Sequence, residues 1–332
     1  MQILEPLHVP NPRDLTLAKI TGDYEGTIER FCFSTKETQG IVNRPELMGI
    51  EYTEALETAM VKLLTGAKTM LSYTSEHNAN VLVFLRGGIN FGLREALARA
   101  YGWNTHGVSY LSSQRARDAQ GRWYIQEDSY KKITARKGTD VFCSDIIATG
   151  VTLHHGLREF TRMVKERGGS IRSFSFFTIG CHKAEKVLEE YQSLWKSLWP
   201  DFQGICLFYA EGKFHLADSK TPVQIKLQGT DLLRRNSLLM PAFIAAQEAN
   251  VTYALERCTI YDAGSRAFNI EEYLCDVRAY WQEVSTLAKN GITAEQYLLE
   301  RFPEASEKLR KQAQKRSLEE ICKERLETLS MI

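Results

Sequence analysis

Two short stretches of this chain hold residue types that could act on an anion. The first is Asp145-Ile146-Ile147-Ala148-Thr149-Gly150-Val151-Thr152, where one acid precedes a turn of small residues. Thr149 and Thr152 supply hydroxyls, Gly150 permits close backbone approach, and a helix-like segment follows. The first N–H groups of a helix have no partner within it, and they sit at the positive end of its dipole. That combination suits a phosphate monoester. Asp145 ends the apolar run from Val141, where it could accept from sugar hydroxyls or face a hydrated metal. The second stretch is Leu85-Arg86-Gly87-Gly88-Ile89-Asn90, directly after the apolar run Asn80 to Phe84. Its two glycines let backbone approach an anion and Arg86 adds charge. Alone, Arg-Gly-Gly reads as a structural turn. In the same strand–loop–helix context as the first stretch, it corroborates an anion site.

The stretch Ser144 to Thr152 resembles the signature of type I phosphoribosyltransferases, in which an acidic pair, two apolar residues and a small-Thr-Gly-x-Thr loop bind phosphoribosyl pyrophosphate. Asp145, Ala148, Thr149, Gly150 and Thr152 match, Val151 fills the variable position, and Ser144 stands where the first acid is usual. Leu85-Arg86-Gly87-Gly88 resembles the family's pyrophosphate loop, above all in its 6-oxopurine branch, where the apolar–basic peptide bond is often cis. The resemblance implies an α/β fold with a parallel sheet flanked by helices. It also implies a 5′-phosphate on Ala148 to Thr152, diphosphate against Arg86, Gly87 and Gly88, and Asp145 on the ribose directly or through Mg²⁺. The polar segment Ser112 to Arg122 stands where the family carries a mobile loop, and Ser113, Arg115 and Arg117 would close over the diphosphate. The 6-oxopurine branch places an Asp where Ala148 stands, and Ala148 is usual in the adenine and uracil branches. The implied reaction moves phosphoribose from phosphoribosyl pyrophosphate to a nucleobase or related acceptor, with Asp145, Arg86 and Arg115 as the reacting-centre residues. Two other readings are a sensor that kept the fold after Ser144 replaced the acid, and a nucleotide-depleting effector acting with a partner.

Composition sets wide bounds. The chain has 332 residues, 43% hydrophobic and 25% charged, as in ordinary globular proteins. A formal net charge of +1 gives no reason to expect a nucleic-acid or membrane surface over the whole molecule. A local basic cluster, Lys131-Lys132 with Arg136-Lys137, reads first as a solvated face. No apolar run approaches the ~20 residues of a membrane span. Seven scattered cysteines without C-x-x-C spacing read as reduced thiols, and with no signal-peptide pattern the expectation is a cytoplasmic protein.

The elements that must position the two stretches follow from periodicity. Strands are expected at 80–84, 107–111, 123–125, 141–147, 171–179 and 204–209, and a small hairpin from 213–218 and 222–227. Helices are expected at 45–64, 91–101, 153–167 with a Gly168-Gly169 cap, and 184–199. From Leu232 onward the chain reads as helical, at 242–249, 270–288, 294–301 and 304–329, with a capping box at Thr293 and Gln296. The organisation expected is an N-terminal accessory or hood segment (1–65), a core (66–230) and a helical C-terminal region (231–332). That last region is a candidate surface for a protein partner or a homodimer. Cys181-His182-Lys183, Asp218 and the backbone of 208–210 are candidates for acceptor contact. His154 and His155 point about 100° apart on a helix, so joint metal ligation is not expected.

Overall fold

The computed structural model describes residues 1–9, 14–71, 74–85, 87–117, 120, 123–226, 231–258 and 269–332, with backbone alone at 113–117 and 123–129. The chain opens with strands β1 (Gln2–Leu7), β2 (Thr16–Gly22) and β3 (Glu29–Ser34), followed by helices α1 (Lys36–Asn43) and α2 (Gly49–Gly66). Strand β4 (Ala79–Phe84), a 3₁₀ turn (Gly87–Phe91), helix α3 (Leu93–Tyr101) and strand β5 (Gly107–Arg117) come next. Then follow β6 (Trp123–Lys132), β7 (Thr139–Ile147), α4 (Val151–Glu166), β8 (Ile171–Cys181), α5 (Lys183–Leu198) and β9 (Gly204–Leu216). The remainder is β10 (Leu232–Leu239), α6 (Pro241–Ala249), α7 (Val251–Leu255), α8 (Ile270–Lys289), α9 (Ala294–Arg301), α10 (Glu307–Gln314) and α11 (Leu318–Ser330).

Among the described residues ten strands join one sheet in the order β1-β2-β3-β9-β8-β7-β4-β5-β6, with β10 on β9. The six central strands, β3-β9-β8-β7-β4-β5, are parallel, and antiparallel pairs close both edges. β4 is buried at every position and β7 at all but one, as parallel strands covered on both faces require. From β4 the chain crosses through α3 to β5 on one side. From β7 it crosses through α4 to β8 on the other. Right-handed crossovers in opposite directions put α3 and α4 on opposite faces. The strand order therefore reverses between β4 and β7, where open α/β sheets leave a crevice at the strands' carboxyl ends. The fold class is the expected one, a mainly parallel sheet flanked by helices with a helical C-terminal region.

Several local expectations change. Residues before 35 supply three strands that lengthen the sheet. Pro45 lies in the turn between two helices, and the second begins only at Gly49, which is left-handed at φ +61°. The polar stretch after Leu111 continues β5 to Arg117, pairing with β6 through two register shifts. No apolar alternation advertises that hairpin arm. The partner of 213–216 is β10, not 222–227, because β9 runs on to Leu216 and pairs Leu232 with it. β10 itself is a strand at the start of the region read as helical from Leu232 onward. The expected helix 304–329 is two helices, since Ser317 accepts from the backbone N–H of Glu319 and starts α11 afresh. The capping box at Thr293 and Gln296 and the Gly168-Gly169 stop are as read. Among the described residues no helix is long and apolar enough to cross a membrane, and all seven cysteines are free thiols.

Candidate active site

The reversal point brings the two stretches together. β4 delivers Leu85, whose N–H still bonds to Leu111 O at 2.8 Å, and the 3₁₀ turn begins at Gly87. β7 runs beside β4, pairing Val83 with Ser144. Ser144 is buried and donates from Oγ to Gly88 O at 3.3 Å, so it ties the glycine turn to β7. A Cβ on Gly88 would fall 2.8 Å from Ser144 O. Gly88 is thus needed for contact with β7, a requirement separate from the anion approach expected of it.

Asp145 is the next residue of β7 and faces the other side of the sheet. It is 8% exposed, and its Oδ1 accepts from the N–H of Ile146 at 2.8 Å. Past Ile147 the chain bends at Ala148 and Thr149 into Gly150, which takes φ +77° just before α4. A side chain there would be strained by that φ and would press Val187 Cγ2 at 3.3 Å. No side chain caps α4, and Thr149 Oγ1 reaches only 3.5 Å toward the N–H of Val151. The opening N–H groups of this 16-residue helix, beside Thr149, Val151 and Thr152, carry the positive end of its dipole.

This loop is held by a residue that carried little weight in the reading above. Cys181, at the end of β8, donates its thiol to Ala148 O at 3.2 Å. Burial pushes the Cys181 thiol up to about 11, so it stays protonated and able to donate. Tyr209 OH in turn donates to Cys181 O at 3.2 Å. The only signal for this was topological, since β8 is the parallel neighbour of β7 and ends beside its loop. His182 follows, half-buried, its pKa held down by burial and then by Lys183.

Arg86, and with it the Leu85–Arg86 peptide bond, lies outside the described residues. Arg115 pairs with Ile125 in the β5–β6 arm, and its side chain lies outside the description, as do those of Ser113 and Arg117. Asp218 is engaged locally, accepting from Lys220 N at 3.0 Å and Thr221 Oγ1 at 2.7 Å. Phe208 to Ala210 are buried in β9, where Tyr209 pairs with Thr178, which pairs with Asp145. His154 lies 3.4 Å from Glu190, while His155 contacts Arg158 at 3.0 Å, so they serve different neighbours.

For a metal, Asp145 is the one carboxylate at the loop named by sequence, and no group of three His, Cys, Asp or Glu among the described residues could hold an ion. That donor set fits Mg²⁺, which is commonly held by one or two carboxylates and substrate phosphates rather than by a protein cage.

No family model matches the chain, and no curated protein matches it. Among solved structures it is similar to a hypoxanthine-guanine phosphoribosyltransferase from Bacillus anthracis, at 20% identity and TM-score 0.26 over 39% of this chain and 67% of that one. It is similar to a purine phosphoribosyltransferase from Pyrococcus horikoshii at 14% identity and TM-score 0.26, over 51% and 93%. A third likeness is to adenine phosphoribosyltransferase from Saccharomyces cerevisiae, at 17% identity and TM-score 0.23, over 39% and 69%.

Proposed function

We propose that the chain is a phosphoribosyltransferase-like enzyme that takes phosphoribosyl pyrophosphate and passes its phosphoribose to a nitrogen of a nucleobase or similar acceptor. The observation that carries this reading is the meeting of two anion-suited turns at the β4–β7 reversal, joined by the Ser144–Gly88 hydrogen bond. In this reading the 5′-phosphate takes the N–H groups of α4 with Thr149 and Thr152, and Gly87 and Gly88 face the diphosphate with Arg86. Asp145 holds the ribose hydroxyls, alone where the family has two acids, because the Ser144 hydroxyl is turned to the glycine loop. Mg²⁺, when bound with the donor, neutralises diphosphate charge, and Asp145 is the side chain that would face it. The bond from C1 to the diphosphate oxygen breaks with its electron pair leaving on the diphosphate. A bond from acceptor nitrogen to C1 forms, and the nitrogen's proton is lost. The chain's own contribution is placement and fixed donors rather than covalent chemistry.

The test is diphosphate release from phosphoribosyl pyrophosphate with a panel of bases. Release with at least one base, absent in Asp145→Asn, is expected. Full activity in Asp145→Asn would overturn the site. Tight donor binding without turnover by any base would replace the enzyme reading with a sensor.

A further inference from the structure

The strand-to-helix turns after β7 and β8 run in step. Ile147 pairs with Gly180, and Cys181 donates its thiol to Ala148 O at 3.2 Å. A Cβ on Gly150 would lie 3.6 Å from Lys183 O and 3.7 Å from Lys183 Cβ. The first residue of α5 therefore stands against the glycine that precedes α4. Both helices are 16 residues long, and neither has a side-chain cap. They continue side by side, with Tyr191 OH donating to His154 O at 2.8 Å. Their positive ends adjoin beside Ala148 to Gly150.

Lysine is the wrong charge for that place. A cation in the first turn of a helix faces the positive end of its dipole, where acids are favoured. The helix itself offers no partner, since the residues three and four positions on are Lys186 and Val187. Lys183 is only part-exposed, and its ammonium has no ion pair or hydrogen bond among the described residues. The carboxylates that follow on α5 are engaged elsewhere. Glu185 lies 3.3 Å from both Arg30 and Lys213, Glu189 accepts from Tyr24 OH at 2.6 Å and Thr27 N at 2.8 Å, and Glu190 lies 3.4 Å from His154. The charge of Lys183 also bears on the thiol at the loop: burial pushes Cys181 up to about 11, and the N–H and ammonium of Lys183 oppose that rise. A residue that breaks the charge rule of its own helix is expected where a ligand compensates for it.

We infer that Lys183 binds the 5′-phosphate of the sugar donor, so that the site recognises 5′-phosphorylated ribose through a charge supplied from the β8–α5 turn. The inference rests on the proposed function and adds to it a cation outside both anion-suited turns. The phosphate takes the N–H groups of α4 with the hydroxyls of Thr149 and Thr152 on one side, and the lysine ammonium on the other. A dianion there offsets the repulsion between the ammonium and the two helix ends. Lys183 thereby has a donor role in place of the acceptor contact considered for residues 181–183.

The experiment is calorimetric titration of ribose 5-phosphate, and separately of inorganic diphosphate with Mg²⁺, into the full chain and its Lys183→Gln, Lys183→Arg and Lys186→Gln variants. Lys186, exposed on α5, is the control for a general loss of positive charge. Ribose 5-phosphate should bind the full chain and weaken about tenfold or more in Lys183→Gln, as for one lost charge-assisted hydrogen bond. Its affinity should stay within about threefold in Lys183→Arg and Lys186→Gln, as should that of diphosphate in every variant. Unchanged ribose 5-phosphate binding in Lys183→Gln would overturn the inference while leaving the transferase reading in place. An equal loss in Lys186→Gln would assign the effect to general charge, and an equal loss in Lys183→Arg would assign it to packing; either overturns it. A loss for diphosphate as large as for ribose 5-phosphate would overturn it too, by moving Lys183 to the leaving group. A full chain that binds neither ligand would overturn the transferase reading and this inference together.

Discussion

The loops at the carboxyl ends of β4 and β7 and the helices after β10 are both fastened by polar side chains, in opposite ways. At the loops a hydroxyl and a thiol donate to main-chain carbonyls, Ser144 to Gly88 O and Cys181 to Ala148 O. In the proposed reading the peptide N–H groups of those turns are left for the ligand. In the C-terminal region the fasteners are buried charges, spent on one another, on main-chain carbonyls or on aromatic rings. Glu256 accepts from Trp281 Nε1 at 3.0 Å and from Arg325 at 2.9 Å, and Arg325 also reaches Glu46 at 3.1 Å, binding α11 to the turn before α2. Arg234 donates to Glu256 O and Tyr253 O, and Arg301 lies beside the rings of Tyr280 and Tyr297. Changes at the loops should therefore cost activity and spare the fold, while changes in the helices should cost stability and spare the activity of what remains folded.

The largest effect is expected at Asp145. Asp145→Asn should lower turnover by at least about 10⁴-fold, roughly 5 kcal/mol of barrier, with an unchanged melting curve. A melting temperature that falls with the activity would erase the contrast. Glu256→Gln comes next, because it leaves Arg325 without its buried partner. The expected loss is about 3 kcal/mol of unfolding free energy by denaturant titration, at constant donor KM.

Glu211 sharpens the contrast through pH. It is fully buried at a β9 bulge with φ +63°, Thr38 Oγ1 donates to it, and burial pushes its carboxyl up to about 8. The unfolded value is 4.5, so the folded chain binds the extra proton between these limits. Stability from this group is complete below 4.5, declines as pH rises and is gone above about 8. Glu211→Gln should remove that decline, whose slope is at most about 1.4 kcal/mol per pH unit. Unfolding titrations that give parallel slopes for both proteins would show that Glu211 does not titrate there.

Ser144→Ala should raise the donor KM by about tenfold, the worth of one hydrogen bond, with a smaller effect on kcat. An equal fall in kcat with no change in KM would place Ser144 at the reacting centre instead. The smallest change expected is Thr293→Ala, which breaks the capping box of α9 at a cost of about 1 kcal/mol and leaves turnover alone.

The two turns were legible as turns because their glycines and hydroxyls interrupt apolar runs at the ends of β4 and β7. The central strands and α3 to α5 were legible because burial on both faces leaves unbroken apolar runs. What stayed hidden depends on partners far along the chain. β10 opens the stretch that reads as helical from Leu232 onward, and its pairing shows only where β9 extends beside it. β1 contains Pro6 and is partly exposed, so it carries no buried pattern. Cys181 looks like an incidental thiol until β8 is set next to β7. Ser144 drew notice as a missing acid, and its bond to Gly88 O could be seen only once β4 lay alongside.

The central claim is that both turns serve one ligand, and selective ¹⁵N-glycine labelling tests it most directly. Titrating phosphoribosyl pyrophosphate with Mg²⁺ should move the amide resonances of Gly87, Gly88 and Gly150 together, along one binding curve, while Gly168 and Gly291 stay still. Movement of Gly150 without Gly87 and Gly88, or on a separate curve from theirs, would contradict a shared cleft.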